Sequence, residues 1–222
     1  MKKRILTLLA AVCLLSAVLS GCGDGSAEQT PEDRAQANTI NVGIAQDLDE
    51  SLDPHKTVKA GTREVMFNVF EGLMKPTSNG DLIPAVAESY TVSDDHRTYT
   101  FTLREGACWS DGTPVKAEDF ITAWTRVISG AVDSPCRYLF DVILGARDYE
   151  NEESELGLEA TEDGKLVVTL EGDYSGFAHM LAAPAFWPIK EGEMAYNGRY
   201  ALADITENVA TLKPNTGYRG EK

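Results

Sequence analysis

Basic residues are scarce. The 222-residue chain carries 20 Lys and Arg against 35 Asp and Glu, a formal net charge of −15. Recognition of nucleic acid needs Lys and Arg clustered against phosphate, so this balance argues against any nucleic-acid partner. The short motifs of common chemistries are also missing: the chain has no Gly-x-Ser-x-Gly elbow, His-Glu-x-x-His, Cys-x-x-Cys or phosphate-binding loop. His55, His96 and His179 are the only three histidines, and none has a Cys, His or carboxylate at ligand spacing. They read as ordinary surface or half-buried side chains, so no catalytic residue, metal or cofactor is assigned. Beyond one N-terminal run, no apolar stretch approaches the roughly 20 residues of a spanning helix, and no transmembrane helix is expected. With so many acids, a chance carboxylate pair in a small secreted hydrolase stays open on composition, although nothing in the sequence supports one.

What is present suits a packed protein of one or two domains, since 43% of residues are hydrophobic and 25% charged. Lys2, Lys3 and Arg4 precede an apolar run from Ile5 to Leu19, broken only by Thr7 and Ser16. That is the pattern of a signal peptide, assigned here to residues 1–21. The run closes on Leu19-Ser20-Gly21-Cys22, which resembles the lipobox of bacterial lipoproteins, with Cys22 the acylated residue. Its removal takes away the three basic charges of this segment and moves the net charge from −15 to −18. Residues 22–38, rich in Gly, Ser, Glu and Gln, read as a flexible tether. Cys13 leaves with the signal. Cys108 and Cys136 remain, in a compartment that permits a disulfide, either bridged or as two partly buried thiols.

Asn41 to Ala45 reads as a strand and Asp53-Pro54 as a turn. Val65, Met66, Val69, Phe70 and Leu73 recur at helical spacing, predicting an amphipathic helix from Thr62 to near Glu71-Gly72. Tyr99, Phe101 and Leu103 alternate with threonines after the polar Ser93 to Arg97, which predicts a hairpin with Tyr90 and Val92 on the other arm. Asp111-Gly112-Thr113-Pro114 is a turn, and Phe120, Ile121, Trp124, Val127 and Ile128 mark a second helix face. Asp148 to Asp163 holds eight acids and no base, the composition of a solvated loop or frayed helix. A strand over Leu166 to Leu170 and a short helix near Phe177, Met180 and Leu181 follow.

Several strings taken in order resemble the family 5 extracellular solute-binding proteins, the oligopeptide and dipeptide receptors of ABC importers. They are Ser51-Leu52-Asp53-Pro54-His55, Glu71-Gly72-Leu73, Ile83 to Tyr90, Tyr99 to Arg104, Trp109 to Val115, Asp119-Phe120 and Trp124-x-Arg126. Weaker similarity ends at Asn197-Gly198-Arg199-Tyr200, so the resemblance runs from about Asn38 to Leu202. It implies a mixed α/β fold of the type II periplasmic binding proteins. Residues 39–72 would begin a large lobe, 73–183 form a small inserted lobe and 184–222 return to the large one. Because the family continues for more than as long again past the position of Lys222, the fold is expected to be incomplete, holding only the N-terminal part.

The function implied is capture of extended peptides and delivery to a membrane permease and its ATPase, with no chemistry done by this chain. The lipid on Cys22 would be its only membrane contact, placing it on the outer face of the cytoplasmic membrane or in the periplasm. The matched ligand-facing loop falls at Thr57 to Ala60, so Val58 and Ala60 are the implied peptide contacts, with a plain connecting loop as the alternative. A family aromatic after Ser-Pro is replaced here by Cys136, which leaves Tyr138 as the nearest substitute. Lys116 stands where the family has a capping Thr and offers no acceptor oxygen, so a loosely started helix is expected. The competing reading is a truncated remnant that binds nothing.

Overall fold

The computed structural model describes residues 39–43, 48–49, 52–56, 59–149, 155–190, 192, 194–206 and 209–219. The signal segment 1–21, Cys22 and the tether 22–38 lie outside the described residues. Three antiparallel sheets organise the rest. In the first, β1 (Ile40–Gly43) pairs with β9 (Val209–Pro214), and β9 with β8 (Tyr200–Thr206). Ile40 faces Leu212 and Gly43 faces Val209, so segments far apart in sequence close one sheet. The strand predicted from Asn41 is thus present, starting at Ile40. A two-stranded ribbon joins β2 (Met74–Pro76) to β3 (Leu82–Pro84).

The third sheet has the order β4-β5-β7-β6, from Ala87–Val92, Thr98–Leu103, Leu166–Thr169 and Leu158–Ala160. The threonine alternation works as expected: Tyr99 and Phe101 turn inward and are buried, opposite Val168 and Leu166 on β7. Tyr90 and Val92 share that face on the edge strand β4 and stay about one-third exposed, at 36% and 38%. The acid-rich stretch needs a correction. Its residues Leu158–Ala160 form β6 and pair with β7 through Leu158–Val168 and Ala160–Leu166, because a ladder partner and a half-buried Leu outweigh the acidic surroundings.

Helix α1 spans Ala60–Val69 and buries Thr62, Val65, Met66 and Val69. It ends two residues before the predicted Glu71, since Phe70 is already extended while its amide closes the last turn on Met66 O. Helix α2, Ala117–Ile128, buries Phe120, Ala123, Trp124, Val127 and Ile128 at 3–4 residue spacing. Its start corrects the expectation of a loose end. Lys116 accepts nothing, but the carboxylate of Asp119 reaches back to the Lys116 amide at 2.9 Å and also takes the Trp109 indole N–H at 3.0 Å. The N3 half of a capping box therefore holds the helix without a capping oxygen at the start. Below α2 lie two 3-10 turns, Arg137–Val142 and Pro184–Phe186, and the short α3, Phe177–Met180. Trp124, Phe140, Phe177 and Phe186 meet there, with Phe140 and Phe186 ring centres 4.6 Å apart. Residues 38–222 form one compact unit. Among the described residues, no helix is long and apolar enough to cross a membrane.

Candidate functional site

The turn Leu52–Lys56 is built by local chemistry. Asp53 O accepts the Lys56 amide at 3.1 Å, its side-chain Oδ1 accepts the His55 amide at 3.0 Å, and Pro54 fixes the backbone between them. Two motifs read separately in the sequence then meet. Arg126, in the last turn of α2, donates to both carboxylate oxygens of Asp53, with Nη1 at 3.4 Å from Oδ1 and Nη2 on Oδ2. A guanidinium fork matched to a carboxylate in this way is the stronger form of an ion pair.

His55 sits against both. Only 1% exposed, it has Nε2 3.2 Å from Trp187 O and Nδ1 3.4 Å from Arg126 Nη1. This corrects the reading of His55 as a surface or half-buried residue: its ring is buried and bonded to Trp187 O, 132 residues away. Burial pushes the His55 pKa down to about 4, against the pull of Asp53 and with the help of Arg126. For Asp53, burial pushes up, but the Arg126 and His55 hydrogen bonds outweigh it and hold the carboxyl below its usual range. The other two histidines are exposed: His96 pairs with Asp173 at 3.3 Å, and His179 lies on α3.

Beside this cluster opens a cleft of about 240 Å³. Leu52, Pro54, Phe70, Ile189 and Met194 give it apolar walls, and Asp53, Arg126 and Lys190 supply its charge. Lys190 is itself paired with Asp111 of the Trp109–Val115 string.

A second knot ties the two crossings of the chain between the sheets. The Asn197 amide reads the backbone of Glu71 on both sides, accepting its N–H at 3.0 Å and donating to its O at 2.7 Å. That competition is why α1 cannot continue to Gly72. Gly198 follows so closely that an added Cβ would lie 2.5 Å from Val69 C, a distance only glycine permits. The Glu71 carboxylate in turn accepts from Lys75 and from the Tyr218 hydroxyl, both at 2.9 Å.

The expected ligand contacts are not gathered here. Ala60 is the first residue of α1, exposed, and does not line the cleft. Tyr138 is 67% exposed on the Arg137–Val142 turn. Val58 lies outside the described residues, as does Cys22. The disulfide weighed between Cys108 and Cys136 is not formed. Both thiols are free and partly buried, Cys108 against Gly217 beside the C-terminal segment and Cys136 at the start of the Arg137–Val142 turn. Among the described residues there is no group of three or more His, Cys, Asp or Glu placed to hold a metal.

The mixed α/β arrangement is that of the type II periplasmic binding proteins. A solved structure of Listeria monocytogenes OppA bound to peptide superposes with a TM-score of 0.71 at 30% identity, covering 78% of this chain and 38% of that one. Residues 81–222 match the profile of bacterial extracellular solute-binding proteins, family 5 Middle, and the chain belongs to that family. The family is one of solute-binding proteins rather than enzymes, which removes the hydrolase alternative. Among curated relatives, the periplasmic oligopeptide-binding protein OppA of Escherichia coli K12 is 33% identical over 193 residues, 78% of this chain and 35% of its own length. A probable deoxycholate-binding periplasmic protein, YgiS, from the same organism is also 33% identical, over 76% of this chain and 35% of its own. The chain thus spans about a third of the length of the curated relatives it matches.

Proposed function

We propose that this chain is part of the extracytoplasmic substrate-binding component of a peptide ABC importer. It would capture extended oligopeptides and pass them to a membrane permease driven by its ATPase. The observation that carries this reading is the likeness, at 30% identity, to a receptor solved with peptide bound. The lobe division 39–72, 73–183 and 184–222 fits it. The β4-β5-β7-β6 sheet lies wholly within the second segment, and the β1-β9-β8 sheet is assembled from the first and third. In this reading Val58, Ala60 and Tyr138 meet the peptide, whose backbone is held in the manner of an added strand. Exposure of Ala60 and Tyr138 supports their availability. Cys22 carries the lipid that keeps the protein at the outer face of the cytoplasmic membrane.

Two experiments test this. Deleting the gene should lower cellular uptake of a labelled short peptide, and the gene on a plasmid should restore it. Unchanged peptide uptake overturns the reading, and loss of deoxycholate uptake alone would transfer the ligand to the class named for one relative. Changing Cys22→Ala should move the product from the membrane fraction to the medium or periplasm; retention at the membrane rejects the lipid anchor.

A further inference from the structure

The chain on either side of the Leu52–Lys56 turn is stitched together. The Asp49 amide donates to Thr62 Oγ1 at 2.8 Å, and Lys59 Nζ reaches Leu48 O at 2.9 Å and Asp49 Oδ1 at 3.6 Å. Leu48 and Asp49 precede the turn, whereas Lys59 and Thr62 belong to the start of α1. These bonds tie the chain before the turn to the start of α1, and the Asp53–His55–Arg126 cluster fastens the turn itself to α2 and to the return segment at Trp187.

We propose that Arg126 is a positioning residue for ligand capture: through Asp53 and His55 it fixes the Leu52–Lys56 turn, and with it Ala60, in a hold that acid releases. The proposal rests on the peptide-capture reading above. Its basis is the bonding at the imidazole. A guanidinium has donors only, so with Arg126 Nη1 at 3.4 Å the ring's Nδ1 must accept. The ring hydrogen then sits on Nε2 and is given to Trp187 O at 3.2 Å. One neutral tautomer satisfies every partner. A second proton could go only onto Nδ1 of the buried ring, facing the Arg126 cation, and it would replace an accepted hydrogen bond with two opposed N–H groups. Asp53, 3.9 Å from Nδ1, is the anion in range, but it is already committed to Arg126. Lys190, on the adjoining cleft, is held by Asp111. The depressed His55 pKa agrees with this geometry.

The test is a proton and nitrogen NMR titration of the His55 ring in the gene's full product, for wild type, Arg126→Met and Arg126→Lys, with calorimetric binding of a short peptide on the same samples. In the wild type, His55 should be the Nε2–H tautomer and titrate near 4. Without the facing cation its midpoint should rise, and peptide affinity should fall about tenfold, in line with the loss of one charged hydrogen bond. Lys at 126 should recover part of both. A wild-type midpoint near the unperturbed value of about 6.5, or no change in Arg126→Met, overturns the proposal.

Should Arg126→Met not fold, His55→Gln decides. Its amide can still serve Trp187 O but cannot take a proton, so, whatever its affinity at neutral pH, the variant should lose the decline that the wild type shows on acidification. Persistence of that decline in His55→Gln also overturns the proposal. A wild type whose His55 titrates as stated yet binds no peptide refutes the capture reading itself, and the ligand role of the Asp53–His55–Arg126 cluster with it.

Discussion

Replacing Trp124 by alanine should lower the free energy of unfolding by about 4 kcal/mol, within the range for deleting a buried large aromatic side chain. The indole is fully buried, with ring centres at 5.6 Å from Phe186, 6.1 Å from Phe120 and 6.4 Å from Phe140. No neighbour can swing in to refill the space, because the Phe140 and Phe186 rings are already packed on each other. Its Nε1–H is also the donor that satisfies Phe186 O, at 3.0 Å. The two effects can be separated. Trp124→Phe keeps most of the packing and removes the donor, so it should cost about 1–2 kcal/mol, the scale of one buried acceptor left without its partner. Urea unfolding followed by circular dichroism measures both. A loss under about 1 kcal/mol for the alanine variant would mean that the aromatic cluster is not the keystone of α2. Against a total stability of about 5–15 kcal/mol, the expected loss is a large fraction.

The α2 face of that cluster was legible in advance because its information is local, whereas Phe140 and Phe186, from other segments, carried no such mark. Phe120, Trp124, Val127 and Ile128 fall on one face at helical spacing, and Tyr99 and Phe101 alternate with threonine; in both cases the period alone says which side is buried. What escaped has its cause far away in the chain. The end of α1 is set by Asn197, which takes the Glu71 amide across 126 residues. The strand inside the acid-rich stretch exists because β7 offers a ladder, not because Leu-Glu-Ala favours one. His55 is bonded to Trp187 O across 132 residues, and its neutrality follows first from burial, with Arg126 from a third segment adding to it.

The same contrast applies to the candidate site. The strings Asp53-Pro54-His55 and Trp124-x-Arg126 were both visible as marks of the family, but nothing in one string announces the other. Only folding makes them a single cluster. The ligand contacts carried over from the resemblance had no such local signature. Ala60 and Tyr138 sit on different elements at the surface, and the cleft beside the cluster is walled instead by Leu52, Phe70, Ile189 and Met194.

Acidification from pH 7 to 4 should remove about 3 kcal/mol of stability through His55 alone. The sign follows from where the proton goes. In the unfolded chain the imidazole takes a proton near its ordinary value of about 6.5, whereas in the folded protein it resists until about 4. Between those values the unfolded state binds the extra proton and the native state does not, so stability falls as pH drops. Each pH unit in that window is worth about 1.4 kcal/mol, and the window is about 2.5 units wide. Asp53 acts in a different range. Its folded pKa lies below the ordinary carboxyl value, so its contribution is present above about pH 4 and is lost only on further acidification, when Arg126 loses its partner. The decline should therefore begin near pH 6.5 and continue below 4, with no plateau between the two groups. Chemical denaturation at half-unit pH steps reads the slope directly, and His55→Gln is the control, because an amide has no proton to gain. That variant should be flat from pH 6.5 to about 4.5 and fall only where the carboxylates titrate. Parallel curves for wild type and variant would place the acid sensitivity elsewhere.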